Sequence, residues 1–319
     1  MNIPETGGFT LLPDQHAILP FGIMLGDQQL IYATSQLLTR GREANSEFYV
    51  FFSVPGIEPE YSFAASEGLE IQEGPGMKVS KNRNRILVRC NSGDPIEFII
   101  RDAEGSEVRI LTIPLDMAEN SYPLKIAGED YLAFSTALVL AGDNSIDLLS
   151  MENSYADLSI YPSNKLFPRT SIGRITRAED GPELFTTFRI QWSEFDVKPE
   201  LKQVQTNKFS LTLPDKLPSH IHDLTLKIDY LGDTGMGFLD GELVLDQFYN
   251  GKPWHIGLRK FIHQSANEEL VFYFRPLYEG APFLNDLQSA GIEIEESLKV
   301  GFELKGMKIT PEYKTSIIF

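Results

Sequence analysis

The residues Phe248, Tyr249, Asn250, Trp254 and His255 fall within one short stretch and have the types that a carbohydrate site uses. Aromatic rings meet the apolar C–H faces of pyranoses, and an amide or imidazole beside them bonds the hydroxyls. In a β-rich chain the same rings also plug the end of a sandwich or dock a neighbouring domain. Metal chemistry has thinner support. Asp229, Asp233 and Asp240, with Glu242 close by, carry the hard oxygen donors that calcium takes, but their spacing matches no EF-hand loop. Turn aspartates ordinarily bond their own backbone, so no metal site is expected there. His220 and His222 straddle Ile221 and read as a surface pair, because no third ligand stands at a defined spacing. His16, His255 and His263 are isolated. No serine, cysteine or histidine arrangement suggests a nucleophile, no glycine run has phosphate-loop spacing, and no cofactor is expected. The chain has 45 acidic residues, so carboxylate pairs abound, and only context can single out two groups about 5 Å apart of the kind a retaining glycosidase needs.

The elements that would position these residues are strands. Leu224, Leu226, Ile228 and Tyr230 alternate with Thr225, Lys227 and Asp229, the period of a strand with one buried face. Asp240-Gly241 supplies a positive-φ pair for a hairpin turn before Glu242-Leu243-Val244-Leu245 returns. Residues 256–261 read as a further short strand. Upstream, residues 48–52 are too aromatic and β-branched for a helix and read as a fully buried strand, which Pro55-Gly56 and Pro59 terminate. Segments 86–90, 96–101 and 108–113, with turns at Gly93-Asp94-Pro95 and Glu104-Gly105, form a meander pattern. Segments 131–140, 145–149 and 158–161 continue it. Beyond a poorly periodic stretch at 163–182, strands recur at 188–192, 209–213, 270–274, 300–304 and 315–319. A single short helix is expected around 284–288. This density of strands predicts an all-β chain of two or more β-sandwich or jelly-roll domains. The expected division is an N-terminal sandwich region over 1–165, a linker at 166–182, and a C-terminal jelly roll over 183–319.

A length of 319 residues with 42% hydrophobic content is enough for two or three packed cores. Cys90 is the lone cysteine and cannot close an internal disulfide; Leu87-Val88-Arg89 beside it suggest a strand residue rather than a reactive thiol. A net charge of -17 repels phosphate backbones and anionic lipid, so neither nucleic acid nor membrane is an expected partner. Lys78, Lys81, Arg83 and Arg85 read as an exposed turn between strands. The opening residues lack the basic n-region of a secretory signal, and no apolar run has the length of a membrane span.

A resemblance adds to this reading. The runs Ile228-Asp229-Tyr230, Gly232-Asp233, Phe238-Leu239-Asp240-Gly241-Glu242, Asn250-Gly251, Pro253-Trp254 and Ile256-Gly257-Leu258 resemble the C-terminal jelly-roll region of large bacterial proteins of glycoside hydrolase family 35, the β-galactosidases. In the N-terminal third, Leu19-Pro20-Phe21, Tyr32-Ala33-Thr34 and Pro55-Gly56-Ile57-Glu58-Pro59-Glu60-Tyr61 resemble the β-domains that follow the catalytic barrel in those proteins. The resemblance implies a galactose-binding-like jelly roll at the C-terminal end, and relatives that are usually exported. The family's acid lies in a Glu-Asn-Glu-Tyr motif. The nearest match here is Glu152-Asn153-Ser154-Tyr155, with Ser154 in the acid's place, which reads as a polar turn. Alternating β/α units, which a barrel requires, are also absent from the pattern. The implied role is a non-catalytic accessory region whose partner is a galactoside-type glycan or a glycoside hydrolase catalytic domain. Two other readings stay open. A free-standing carbohydrate-binding protein would expose Tyr249 and Trp254; an interdomain scaffold would bury them.

Overall fold

The structure, a computed structural model, describes residues 3–5, 8–44, 46–163, 165–178, 183–196, 200–262, 269–278, 281 and 301–319. Of these, 59% lie in strands and 3% in helices, the all-β architecture of packed sheets that the alternation predicts. The first ten strands are β1 (Phe21–Leu25), β2 (Gln28–Ala33), β3 (Gln36–Glu43), β4 (Ser46–Phe52), β5 (Glu60–Ala64), β6 (Glu70–Ile71), β7 (Met77–Lys81), β8 (Arg85–Cys90), β9 (Ile96–Arg101) and β10 (Glu107–Ile113). They form two facing sheets, β1-β2-β5-β8-β7 and β3-β4-β10-β9-β6. Between these sheets lies a core that includes Leu30, Phe51, Tyr61, Phe63, Phe98 and Ile110. Cys90 is buried in it, and burial pushes its thiol up to about 12. The thiolate is the nucleophile, so this cysteine is inert in the fold.

The short helix α1 (Leu115–Glu119) leads out of β10 into β11 (Ser121–Ile126), β12 (Glu129–Phe134), β13 (Leu138–Gly142), β14 (Ser145–Met151), β15 (Tyr155–Tyr161), β16 (Arg169–Thr170), β17 (Arg174–Arg177) and β18 (Thr186–Gln191). Then follow β19 (Glu200–Gln205), β20 (Lys208–Thr212), β21 (Ile221–Leu231), β22 (Thr234–Leu239), β23 (Glu242–Phe248), β24 (Trp254–Gly257), helix α2 (Arg259–Ile262), β25 (Glu269–Arg275) and β26 (Glu303–Ile318). Three sheets result: β11-β12-β15-β18-β17, β13-β14-β26-β21-β24 with β16 on β26, and β19-β20-β25-β22-β23. The middle sheet is built on β26, a strand of 16 residues. Its C-terminal part turns Tyr313 toward Trp192, just past β18 of the first sheet, while β21 beside it turns Tyr230 toward Phe274 of the third. One continuous core therefore spans all three sheets.

The expected division at 166–182 does not separate two cores. β14, from the expected N-terminal region, pairs with the C-terminal β26 from Ser145↔Ile318 to Met151↔Glu312, and β16 and β17 in the expected linker pair with β26 and β18. The physical break falls at α1, where one sandwich core ends and the three-sheet core begins. Other expectations also shift. Residues 256–261 hold the end of β24 and then α2, not one strand, and the expected helix at 284–288 lies outside the described residues.

A third apolar cluster closes the break. Phe48 and Val50 of β4, with Leu111 and Ile113 of β10, meet Leu132 and Phe134 of β12 and Tyr161 of β15. Alternation explains how one strand serves both clusters: Tyr49 and Phe51 point into the N-terminal core while Phe48 and Val50 point into the seam. This is why 48–52 is apolar throughout. Hydrogen bonds pin the register. Tyr161 Oη donates to Glu97 Oε1 at 2.6 Å, and the backbone N–H groups of Arg42 and Ala44 donate to Asp130 Oδ2 and Glu129 Oε2 at 3.1 and 2.7 Å. Gly41 lets the two bodies approach, since a Cβ there would stand 2.9 Å from the Cβ of Asp130 and 2.2 Å from the Phe48 ring.

Candidate functional site

The aromatic stretch at 248–255 is divided by its strand geometry. On β24 the burial alternates, so Trp254 and Ile256 point into the core while His255 points to solvent on the opposite face. The Trp254 ring meets Phe272 edge-on at 6.0 Å and lies over Gly235, where a Cβ would come within 2.9 Å of its Cζ3. Tyr249 donates its backbone N–H to Asp233 O at 2.9 Å and packs its ring on Tyr230 at 5.6 Å. Burial raises the pKa of both phenols, that of Tyr230 to about 12. Trp254 and Tyr249 are 6% and 9% exposed, so neither offers a face to a sugar ring. Phe248 is 75% exposed but stands alone, and Asn250 uses its Oδ1 to accept the Lys252 N–H at 3.1 Å. The five candidates do not assemble into one platform.

The aspartates are also dispersed. Asp233 and Asp240 bracket β22, a strand of six residues and hence about 20 Å long. Asp233 faces Arg275, with Oδ2 at 3.7 Å from Nε, and Asp240 occupies the hairpin turn at φ 50° beside Gly241 at φ 84°. Asp229 lies near Tyr249, whose phenol its charge helps to raise. Among the described residues, no three histidine, cysteine or acidic side chains converge as metal ligands.

A well-defined concavity lies elsewhere. A cleft of about 690 Å³ opens at the end of the sandwich where the chain twice crosses between sheets, from β12 to β13 and from β14 to β15. α1 borders it with Asp116 and Asn120, and β26 contributes Glu312. Along β15, Ala156, Leu158 and Ile160 point into the core, so Tyr155, Asp157 and Ser159 point out along one face into the cleft. Tyr161, next on that face, enters the seam. The cleft is thus an open continuation of the surface that joins the two bodies.

Its walls are tied down. Ser135 Oγ donates to Asp157 O at 2.7 Å, Ser150 Oγ to Asn153 O at 2.9 Å, and the backbone N–H of Trp192 to Ser154 O at 2.8 Å. Arg189 grips Asp157 with two hydrogen bonds of 2.8 Å and places its guanidinium over the Tyr155 ring, 5.7 Å from the centroid. Tyr155 remains 51% exposed. Among the described residues, the side chains of Asp116, Thr136, Asn153 and Glu312 form no hydrogen bond or ion pair, which leaves their polar atoms free for a ligand.

The sequence reading passed over this site because it took 152–155 for a polar turn. The signal that could have found it is the alternation from Tyr155 to Ile160, which puts an aromatic, an acid and a hydroxyl on one outward face. A second concavity of about 500 Å³ lies in the N-terminal body, lined by Arg40, Arg42, Glu47 and Asp102. The Arg42 guanidinium holds the Glu47 carboxyl below its usual value, and Lys314 does the same for Asp147 on β14. A glycosidase general acid needs a shift in the other direction.

No family model and no curated protein matches the chain. Among solved structures, it is similar at 11% identity to a GH31 alpha-xylosidase from Xanthomonas citri, over 89% of this chain and 38% of that one, with a TM-score of 0.16. The chain thus spans well under two thirds of that protein's length, and a score this low carries no inference about fold or function. Family 31 is also distinct from family 35, so the family 35 resemblance rests on the quoted residues.

Proposed function

We propose that this chain is a non-catalytic accessory β-region of a family 35-like glycoside hydrolase, which supports a catalytic domain as a rigid, multi-sheet body. The observation that carries the reading is the seam. Phe48, Val50, Leu111 and Ile113 pack on Leu132, Phe134 and Tyr161 as a protein core does, and a flexible tether between two binding modules would leave that surface wet. Burial of Tyr249 and Trp254 adds support, because it is the state that a structural use of those residues requires and a sugar platform forbids.

The test uses the purified chain and a separately expressed family 35 catalytic barrel. The chain alone is expected to leave a chromogenic β-galactoside unhydrolysed, and on mixing to bind the barrel and raise its melting temperature. Turnover by the chain alone overturns the non-catalytic reading. Failure to bind or stabilise the barrel overturns the supporting role.

A further inference from the structure

The cleft between α1, β15 and β26 has walls fixed by hydrogen bonds and leaves several polar side chains unpaired. We propose that it is a binding site for a neutral oligosaccharide, with one pyranose ring against Tyr155 and the hydroxyls of its neighbours on Asn153, Asp116 and Glu312. The inference takes its ligand class partly from the accessory reading above, but its location follows from the cleft alone.

Size comes first. A volume of about 690 Å³ lies within the range of about 300–1,000 Å³ typical of small-molecule sites. Preorganisation comes second. An exposed tyrosine on a mobile loop must lose entropy to stack on a ligand, whereas Tyr155 sits on a paired strand, opposite Gln191 of β18, with Arg189 over its ring. Asn153 is fixed by the Ser150 bond to its carbonyl, while its amide stays free to donate and accept.

Charge then selects the ligand. The unpaired side chains facing the cleft include the carboxylates Asp116 and Glu312, and the guanidinium over Tyr155, that of Arg189, is already spent on Asp157. Phosphates, sulfates and uronic acids are therefore repelled. Sugar hydroxyls are not, because a carboxylate accepts hydrogen bonds from neutral donors in short, charge-assisted geometry. The exposed half of the Tyr155 ring supplies the apolar contact that a pyranose face seeks and a small polar solute does not.

Calorimetric titration of the full chain tests this with four probes: β-1,4-galactotetraose, cellotetraose, a galacturonic acid tetramer and a glucosamine tetramer. At least one of the two neutral tetraoses is expected to bind saturably, and the uronic acid tetramer is not. Tyr155→Ala should weaken binding by about tenfold or more, the loss of one aromatic contact. Asn153→Ala, at an exposed side chain with no bond in the fold, should weaken it with the melting temperature unchanged, and Phe248→Ser, outside the cleft lining, should change nothing. The proposal is overturned if neither neutral tetraose binds, if Tyr155→Ala and Asn153→Ala both bind as tightly as the parent, or if the glucosamine tetramer alone binds, which would make the cleft a cation site. Should Tyr155→Ala fold poorly, Asn153→Ala decides. A chain that binds no sugar but still binds the barrel loses this site and keeps its accessory role; one that binds sugar but no barrel does the reverse.

Discussion

Two turns of this molecule that carry aromatic residues beside polar ones have opposite fates. At 248–254, Phe248, Tyr249 and Trp254 surround a glycine and a proline; at 152–155, Tyr155 follows Glu152, Asn153 and Ser154. The first sends Tyr249 and Trp254 inward against Tyr230 and Phe272, and the second leaves Tyr155 half in solvent at the mouth of a cleft. Strand phase makes the difference. Trp254 falls on the inward positions of β24, over a glycine that leaves room for an indole, whereas Tyr155 falls on the outward positions of β15. Ring content alone does not distinguish a binding surface from a core plug; the parity of the ring along its strand does.

Four perturbations would break or sharpen that contrast, beginning with the largest. Trp254→Ala should cost about 3–5 kcal/mol in chemical denaturation, the usual toll of emptying a large aromatic from a core. A cost within about 0.5 kcal/mol, as at open surface sites, would place the ring in solvent. Gly235→Ala follows. Its Cβ would stand 2.9 Å from Trp254 Cζ3 and 3.1 Å from Phe274 Cε1, so two packed rings must shift, and overpacking of this kind costs about 1–3 kcal/mol.

Alkaline pH acts on the same cluster. The folded pKa of Tyr230 rises from 10.0 to about 12 and that of Tyr249 rises in the same direction, both through burial. A folded pKa above the unfolded one means that the contribution is complete below pH 10.0 and declines as pH climbs through about 12. Stability should therefore fall across that window, followed by denaturant titration, while the phenolate absorbance of Tyr230 lags behind that of a free tyrosine. Ionisation of every tyrosine near its ordinary value would contradict the packing. The smallest effects belong to exposed rings: Phe248→Ser and Tyr155→Ala should each leave stability within about 0.5 kcal/mol of the parent.

Much of the architecture was legible because two-residue alternation is a local signal. The run from Leu224 to Tyr230 predicts β21, Asp240-Gly241 predicts the hairpin between β22 and β23, and the all-apolar run at 48–52 predicts a strand covered on both faces. What escaped was non-local. Nothing near 145–151 announces that β14 pairs with a strand more than 150 residues later, so the chain seemed to divide at 166–182, where composition loosens, instead of at α1, where the core breaks. The cleft escaped for the same reason. Asp116, Tyr155 and Glu312 come from three distant segments and meet only because β14 carries the 152–155 turn to the flank of β26.

The most direct test of the claim that the aromatic loop is architecture is tryptophan fluorescence of the unmodified chain, which has 2 tryptophans. Trp192 and Trp254 are 3% and 6% exposed. The emission should therefore be blue-shifted and resist quenching by acrylamide. Red-shifted emission that acrylamide quenches, and that persists in a Trp192→Phe variant where Trp254 alone reports, would contradict the account and return Trp254 to the surface.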